Sequence, residues 1–443
     1  MSGSDSDADK ADVTSDMAGG SSDSAKKIGT FESLRVRNFR LLLTGATLSN
    51  AAQWIQQITL NWLVYDLTGS GTILGSINLT RSVASLGVIP VAGVLIDRLK
   101  RRQLLMIDYS WLFLLTFSLG LILITGHSHT SYLFVFAFLG GIVQTVDYSL
   151  QQVLVFDLVP RSLTPNAIAL VQTGWGLMRS FGPALGGLLI VWLGPGGNFL
   201  LQAGIYVLIA IVILQIQFPA RKPGTHQSSL VDDIKESLRH IIKVRVTRAF
   251  IVLGLILPVC IIPIFIVLPP IYAVEVFGDE SGKVLGFLMA SVGLGGIAGG
   301  VVTASLGYLE RRGLLQLGTL FLLSISLIGF AFSTTLLLSL LLLAIAGFFE
   351  MIFLTTNQTL IQLSIPDILR GRVTSLVNLN WSLASLSGLV AGAGSDLLGG
   401  PKMITIFLAG IAATLVVVFF IYSPTIRNYR LSHAIAPVSS KLN

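Results

Sequence analysis

Twelve apolar segments, each of ~20 residues or more, recur along the chain from Phe39 to Tyr422. A helix of that length crosses the ~30 Å hydrocarbon core of a bilayer. This recurrence constrains the fold more than any other feature, because backbone in lipid must satisfy its own N–H and C=O groups. The short alternating segments of a membrane β-barrel are not seen. The predicted spans are 39–66, 72–96, 103–126, 131–157, 165–193, 199–218, 247–275, 283–307, 314–332, 336–363, 371–397 and 403–423. An all-α membrane protein with its apolar surface toward lipid follows. Only 12% of the 443 residues are charged, about half of the ~25% usual in soluble domains. That scarcity excludes an ordinary soluble enzyme and a nucleic-acid binder.

Orientation follows from where the basic residues fall. Of 29 Lys and Arg, 25 lie in the segments on the N-terminal side of the membrane; Lys283 and Lys402 lie opposite, and Arg81 and Arg179 lie inside spans. Both termini are therefore expected in the cytoplasm, and the protein in the cytoplasmic membrane. The net charge of +7 is then a topology signal with weak attraction for anionic lipid. Residues 1–35 read as an acidic cytoplasmic tail; six Asp stand among the first 27 residues, a composition that cannot form a core. The single Cys260 lies in span seven, so no intrachain disulfide is possible.

The longest polar interruption, 219–246, divides a first six-span bundle (36–218) from a second (247–423), followed by a tail, 424–443. Within the linker, apolar residues at 230/231, 234, 238 and 241/242 predict a short amphipathic surface helix. The halves read as repeats. At an offset of 206, Pro160, Trp175, Gly182 and Gly186 match Pro366, Trp381, Gly388 and Gly392; at 211, Leu74-Gly75 matches Leu285-Gly286. Two six-span bundles in parallel repeat are the plan of a secondary transporter with a midplane site.

The loop after span two reads GVLIDRLKRR, residues 93–102. Gly93 permits close helix approach, Asp97 can cap a helix or pair with an Arg, and Arg98, Lys100, Arg101 and Arg102 hold orientation. The loop resembles the cytoplasmic motif of the major facilitator superfamily, departing from it at Lys100, where many members have Gly. The segments VRNFRLLLTG (36–45), NWLVYDLTGS (61–70), LVPRSLTPNAIAL (158–170), GPALGG (182–187) and IPDILRGRV (365–373) are similar to the branch holding the enterobactin exporter and macrolide-efflux proteins. Together they cover the whole membrane chain. The resemblance implies a gate latch at Gly93, Asp97, Arg98, Arg101 and Arg102; simple loop topology is the alternative. GPALGG, with Gly182, Pro183, Gly186 and Gly187, is similar to the motif of antiporter members, with Met178 where an upstream Gly is often found. It favours export over uptake, although ordinary small-residue packing also accounts for it.

Four charges read as lying deep in spans: Arg81, Asp147, Arg179 and Glu350. Ionisable groups at such depth mark ion pathways and proton relays. Asp147 and Glu350 are the candidates for proton coupling, and a static pair with Arg81 or Arg179 is the alternative. Asp66, Asp157, Glu275 and Asp396, near span ends, need only a solvated reading. Polar stripes suggest a cavity. Asn50, Gln53, Gln57 and Asn61 share one face of span one. Asn78, Arg81 and Ser85 lie in span two, Gln144, Tyr148 and Gln151 in span four, and Gln172, Trp175 and Arg179 in span five. Asn357, Gln358, Gln362, Asn378 and Trp381 lie in spans ten and eleven. Amides with aromatics suit a bulky amphipathic ligand, and interhelical hydrogen bonding is the alternative for each residue. Pro258, Pro263, Pro269 and Pro270 predict a broken span seven.

No metal site is expected; His127 and His129 alone are a weak pair. GDESGKV (278–284) is not a phosphate loop, and no hydrolase motif is present. The sequence therefore predicts a non-enzymatic, monomeric transporter without cofactor, driven by the proton gradient. It exports a drug, macrolide or siderophore-like compound by antiport. A lysolipid flippase of the same fold and a non-transporting membrane sensor are the alternatives.

Overall fold

The structure is a computed structural model that describes residues 31–218, 239, 241–306, 309–366, 373, 377 and 380–430. The long helices of the first half are α1 (Arg37–Thr68), α2 (Gly71–Arg98), α3 (Arg101–Ile124) and α4 (Thr130–Leu158). A continuous stretch, Thr164–Leu214, is broken at Gly194 (φ 65°, ψ 171°) into α5 (164–193) and α6 (195–214). The left-handed φ there suits only a residue without a side chain. The second half holds α7 (Arg245–Val276), α8 (Lys283–Ser305), α9 (Arg312–Phe332), α10 (Leu336–Leu363), α11 (Asn380–Leu397) and α12 (Pro401–Tyr422).

Nine stretches of the described residues are long and apolar enough to cross a membrane by length and composition alone. The stretch bent at Gly194 counts once among them but crosses twice. The two helices that fail are α1, whose amides dilute its apolar content, and α11, of which only the last 18 residues form the described helix.

Helix α7 is broken, as its prolines predict. Segments of wider turn at Leu257–Ile261 and Tyr272–Val276 flank the short helical pieces Ile262–Ile266 and Leu268–Ile271. Each proline removes one backbone donor, and the wider turns absorb the lost bonds.

The two bundles meet through α2 with α11 and α5 with α8. Glycines set these contacts. A methyl group on Gly187 of α5 would sit 2.3 Å from Gly286 Cα of α8; one on Gly75 of α2 would sit 2.6 Å from Leu389 Cα of α11. The Gly75 and Gly187 approaches lie toward the end of the molecule where α2 begins, here the far end. There one apolar core runs unbroken from Trp62, Leu74 and Ile190 into Leu268, Tyr272 and Leu285. At the other end, the basic end, a separate core of Phe39, Leu105, Leu154 and Ile213 belongs to the first bundle alone.

Residues assigned by composition to the tails also pack. Glu32–Arg35 form one 3-10 turn in which buried Ser33 donates to Asn166 Oδ1 (2.6 Å). Beyond α12, Tyr429 sets its ring edge-on to Phe250. Most of the linker helix expected over 230–242 lies outside the described residues, as do 1–30.

Candidate functional site

The amide stripe of α1 divides between two sites. Its outer part joins α2 and α4 around a cavity. Gln57 Nε2 donates to Asn61 Oδ1 (3.1 Å) and Asn78 Oδ1 (2.8 Å), and Asn78 Nδ2 donates to Asn61 Oδ1 (3.1 Å). Asn61 Nδ2 crosses to the second bundle, donating to the Ile266 carbonyl (2.8 Å) that broken α7 leaves available. Arg81 donates through Nη1 to Gln57 Oε1 and through Nη2 to Gln144 Oε1. The cavity has a volume of about 250 Å³, and both bundles line it: Gln57, Asn78, Arg81, Ser82 and Ser85 from the first, Ile262, Ile266, Val267, Ala384 and Ser385 from the second. Ser82 and Ser385 hydrogen-bond across its edge.

The inner part of the stripe turns to Asp147, which has no solvent exposure. Its oxygens accept from Ser49 Oγ (2.7 Å), Tyr109 Oη (2.7 Å), Gln53 Nε2 (3.2 Å) and Gln151 Nε2 (2.9 Å). All these donors belong to the first bundle. A charge buried at this depth persists only where several donors compensate it.

Arg179 of α5 and Glu350 of α10 form an ion pair across the bundles. Arg179 also lies over the Trp175 ring (5.9 Å), which meets Trp54 edge-on (6.3 Å).

Other anticipated cavity residues lie elsewhere. Asn50 is buried; Tyr148 is 45% exposed and does not line this cavity. Gln172 and Gln358 are exposed. Asn357 is held inside the second bundle, donating to the Phe250 carbonyl (3.2 Å) and Gln316 Oε1 (3.0 Å). Asn378 and the side chain of Trp381 lie outside the described residues.

The glycine motifs divide similarly. In GPALGG, Gly182 and Gly186 admit α1: an added Cβ would meet Trp54 Cβ at 2.5 Å or Ile55 Cα at 3.2 Å. Gly187 admits α8, and Pro183 is buried. At the basic end, Gly93 has open space around it. Arg101 binds Asp157 (3.1 Å) and the Ile96 carbonyl, and Arg102 reaches the Leu214 carbonyl (3.3 Å). Arg98 is exposed, and the side chain of Asp97 lies outside the described residues.

Three acids correct the reading of the sequence. Asp108 is a fifth deep ionisable group: it is 4% exposed, and its Oδ2 has no hydrogen-bond partner among the described residues. It lies inside the predicted span 103–126 but is not among the charges singled out from the sequence; Leu104 and Leu112, one turn to either side, share its buried face. Glu275 and Asp396 need more than a solvated reading, because both tie the bundles together at the far end. Glu275 accepts from Tyr65 Oη. Asp396 accepts from Ser70 Oγ (2.9 Å), Gly71 N (2.8 Å), Thr72 N (2.9 Å) and Thr72 Oγ1 (2.7 Å). It therefore caps the N-terminus of α2 from the opposite bundle, where free N–H groups and the helix dipole favour an anion.

Residues 28–434 match the model of a family described as transmembrane secretion effector. The chain is similar to the Staphyloferrin A transporter of Staphylococcus aureus (strain NCTC 8325 / PS 47), 26% identical over 374 residues, covering 83% of this chain and 92% of that protein. It is also similar to the multidrug efflux pump Tap of Mycolicibacterium fortuitum, 26% identical over 373 residues, covering 81% and 89%. In fold it resembles an inward-facing, unoccupied bacterial homologue of the human lysosomal transporter Spinster, with a TM-score of 0.70 at 13% identity over 89% of this chain and 98% of that one. A D-xylose–proton symporter aligns with a TM-score of 0.67 at 17% identity, over 85% and 97%.

Proposed function

The chain belongs to the transmembrane secretion effector family of the major facilitator superfamily, and from that premise we propose that it exports an organic compound from the cytoplasm by alternating access coupled to proton antiport. One observation carries the reading: a polar cavity lies between the two bundles, lined by both and closed at the far end by their shared core. Relatives named for staphyloferrin A transport and for multidrug efflux support an organic cargo. The basic end is then the cytoplasmic side of the membrane, and the cavity takes its cargo from there.

The geometry supports a cycle. Rocking the bundles about the cavity breaks the Asp396 and Glu275 contacts at the far end. It brings the basic ends together, where the open space beside Gly93 leaves room for a helix from the second bundle. Arg179–Glu350 is the coupling element, because it is an ion pair of buried Glu350 with half-buried Arg179 that spans the moving interface. A proton taken up by Glu350 removes its charge, releases Arg179 and lowers the cost of separation. Asp147, surrounded by four donors within the first bundle, serves as a second proton site. The cavity lies wholly within one chain, so a monomer suffices, and no covalent chemistry is required.

A compound-library susceptibility screen in an efflux-deficient host expressing the protein tests this. Resistance to a set of organic compounds, lost with a proton uncoupler, is the expected result. Unchanged susceptibility to every compound, together with movement of labelled lysolipid between leaflets, would replace it with the flippase reading.

A further inference from the structure

Two half-buried cations at membrane depth face the interface between the bundles, and only one is matched by a carboxylate. Glu350 pairs with Arg179. Arg81 meets only the neutral amide oxygens of Gln57 and Gln144, and no carboxylate among the described residues lies within ion-pair distance of it. A guanidinium carries five N–H donors, and two are engaged here. Leaving a full positive charge at membrane depth opposite neutral dipoles is unfavourable unless something else supplies the negative charge.

The nearest candidates within the protein are occupied or turned elsewhere. Asp147, one turn along α4 from Gln144, spends both oxygens on Ser49, Gln53, Tyr109 and Gln151. Asp108 is buried in α3, within electrostatic range of Asp147. Neither lines the cavity, and none of the cavity's lining residues is acidic. The cavity thus has a cationic point at Arg81, hydroxyls from Ser82, Ser85 and Ser385, and an apolar wall from Ile262 and Ile266.

We propose that Arg81 receives an anionic group on the transported compound, so that the substrate class is an amphipathic organic anion. The carboxylate or phosphate docks on the guanidinium, which offers paired donors suited to either, while the body of the molecule lies against α7. The inference rests on the export reading and sharpens it to one charge class. The anion belongs either to a soluble compound or to a lysolipid headgroup.

The test uses the purified full chain in proteoliposomes with an imposed proton gradient and three probes. Carboxyfluorescein and rhodamine 123 share a tricyclic core and differ in charge; fluorescently labelled lysophosphatidylglycerol represents the lipid source. Wild type is expected to move carboxyfluorescein in preference to rhodamine 123. R81Q should reduce that flux by about tenfold or more, and R81K should retain part of it, keeping the charge but not the paired donors. N78D places a carboxylate one helical turn from Arg81. It should reverse the charge preference without touching the arginine, which separates loss of recognition from loss of folding. Flux of the lysolipid alone, with the same dependence on Arg81, supports the anion site and assigns it to headgroups. Equal wild-type flux of both dyes, unchanged in R81Q, overturns the anion site and leaves export standing. Movement of no probe by wild type overturns the export reading and this inference with it.

Discussion

Asp396→Asn tests whether the far end is held by a latch or only by packing. The carboxylate accepts four hydrogen bonds from the start of α2: three on Oδ2, from Ser70, Thr72 N and Thr72 Oγ1, and one on Oδ1, from Gly71 N. Asparagine keeps one oxygen, which can satisfy the three, and sets an amide NH2 against the Gly71 N–H. One bond is lost, the others lose their charge assistance, and the negative charge leaves the helix N-terminus. The site is exposed, so each contribution is discounted for solvent. A lost bond of about 0.5–1 kcal/mol and a dipole term of about 0.3–1 kcal/mol give a total near 1–2 kcal/mol. That shifts the equilibrium between the closed and open far end by roughly 5–30-fold. The assay is the distance distribution between spin labels on Leu67→Cys and Leu398→Cys, exposed positions near Asp396 on opposite bundles. Buried Cys260 is replaced by Ser to leave only the labelled thiols. A new long-distance population should appear in Asp396→Asn and grow in Asp396→Ala. A distribution identical to wild type in both variants refutes the latch and leaves packing alone as the seal.

Three further outcomes follow from the same geometry. Glu350→Gln removes the partner charge of Arg179, so downhill exchange should persist while proton-driven accumulation is lost; uphill transport at wild-type rate would eliminate Glu350 as the coupling site. Asp147→Ala removes the acceptor that four donors share and should cost roughly 2–4 kcal/mol, read as a lowered midpoint of thermal unfolding in detergent, with Asp147→Asn costing clearly less. Gly187→Ala drives a methyl group toward Gly286 and should disfavour the far-end-closed state by about 1–3 kcal/mol, measured with the same spin-label pair.

Much of this was legible in one dimension because lipid is an exacting solvent. The recurring apolar runs marked the helices, the prolines marked α7 as broken, and the internal repeat matched span two with eight and five with eleven, the four helices that meet in the structure as α2–α11 and α5–α8. The candidate site was legible only as a pool of polar residues. Gln53 and Gln57 stand one turn apart on one face of α1, yet Gln53 serves Asp147 and Gln57 serves Arg81. Asn357 looks as much like a cavity residue as Asn78 but braces the interior of the second bundle.

The sequence by itself therefore determined the fold class and the pool of polar residues in the spans, since those follow from transferring each segment between water and hydrocarbon. Only the tertiary structure decided which polar group meets which. Asp396 reaches Ser70 across 326 residues, Arg179 reaches Glu350 across 171, and Arg81 is left with neutral partners. The physical reason is that lipid is as apolar as the helix surfaces it bathes. Helix pairing is then set by close steric fit at glycines and by individual hydrogen bonds, and neither leaves a periodic trace in the chain.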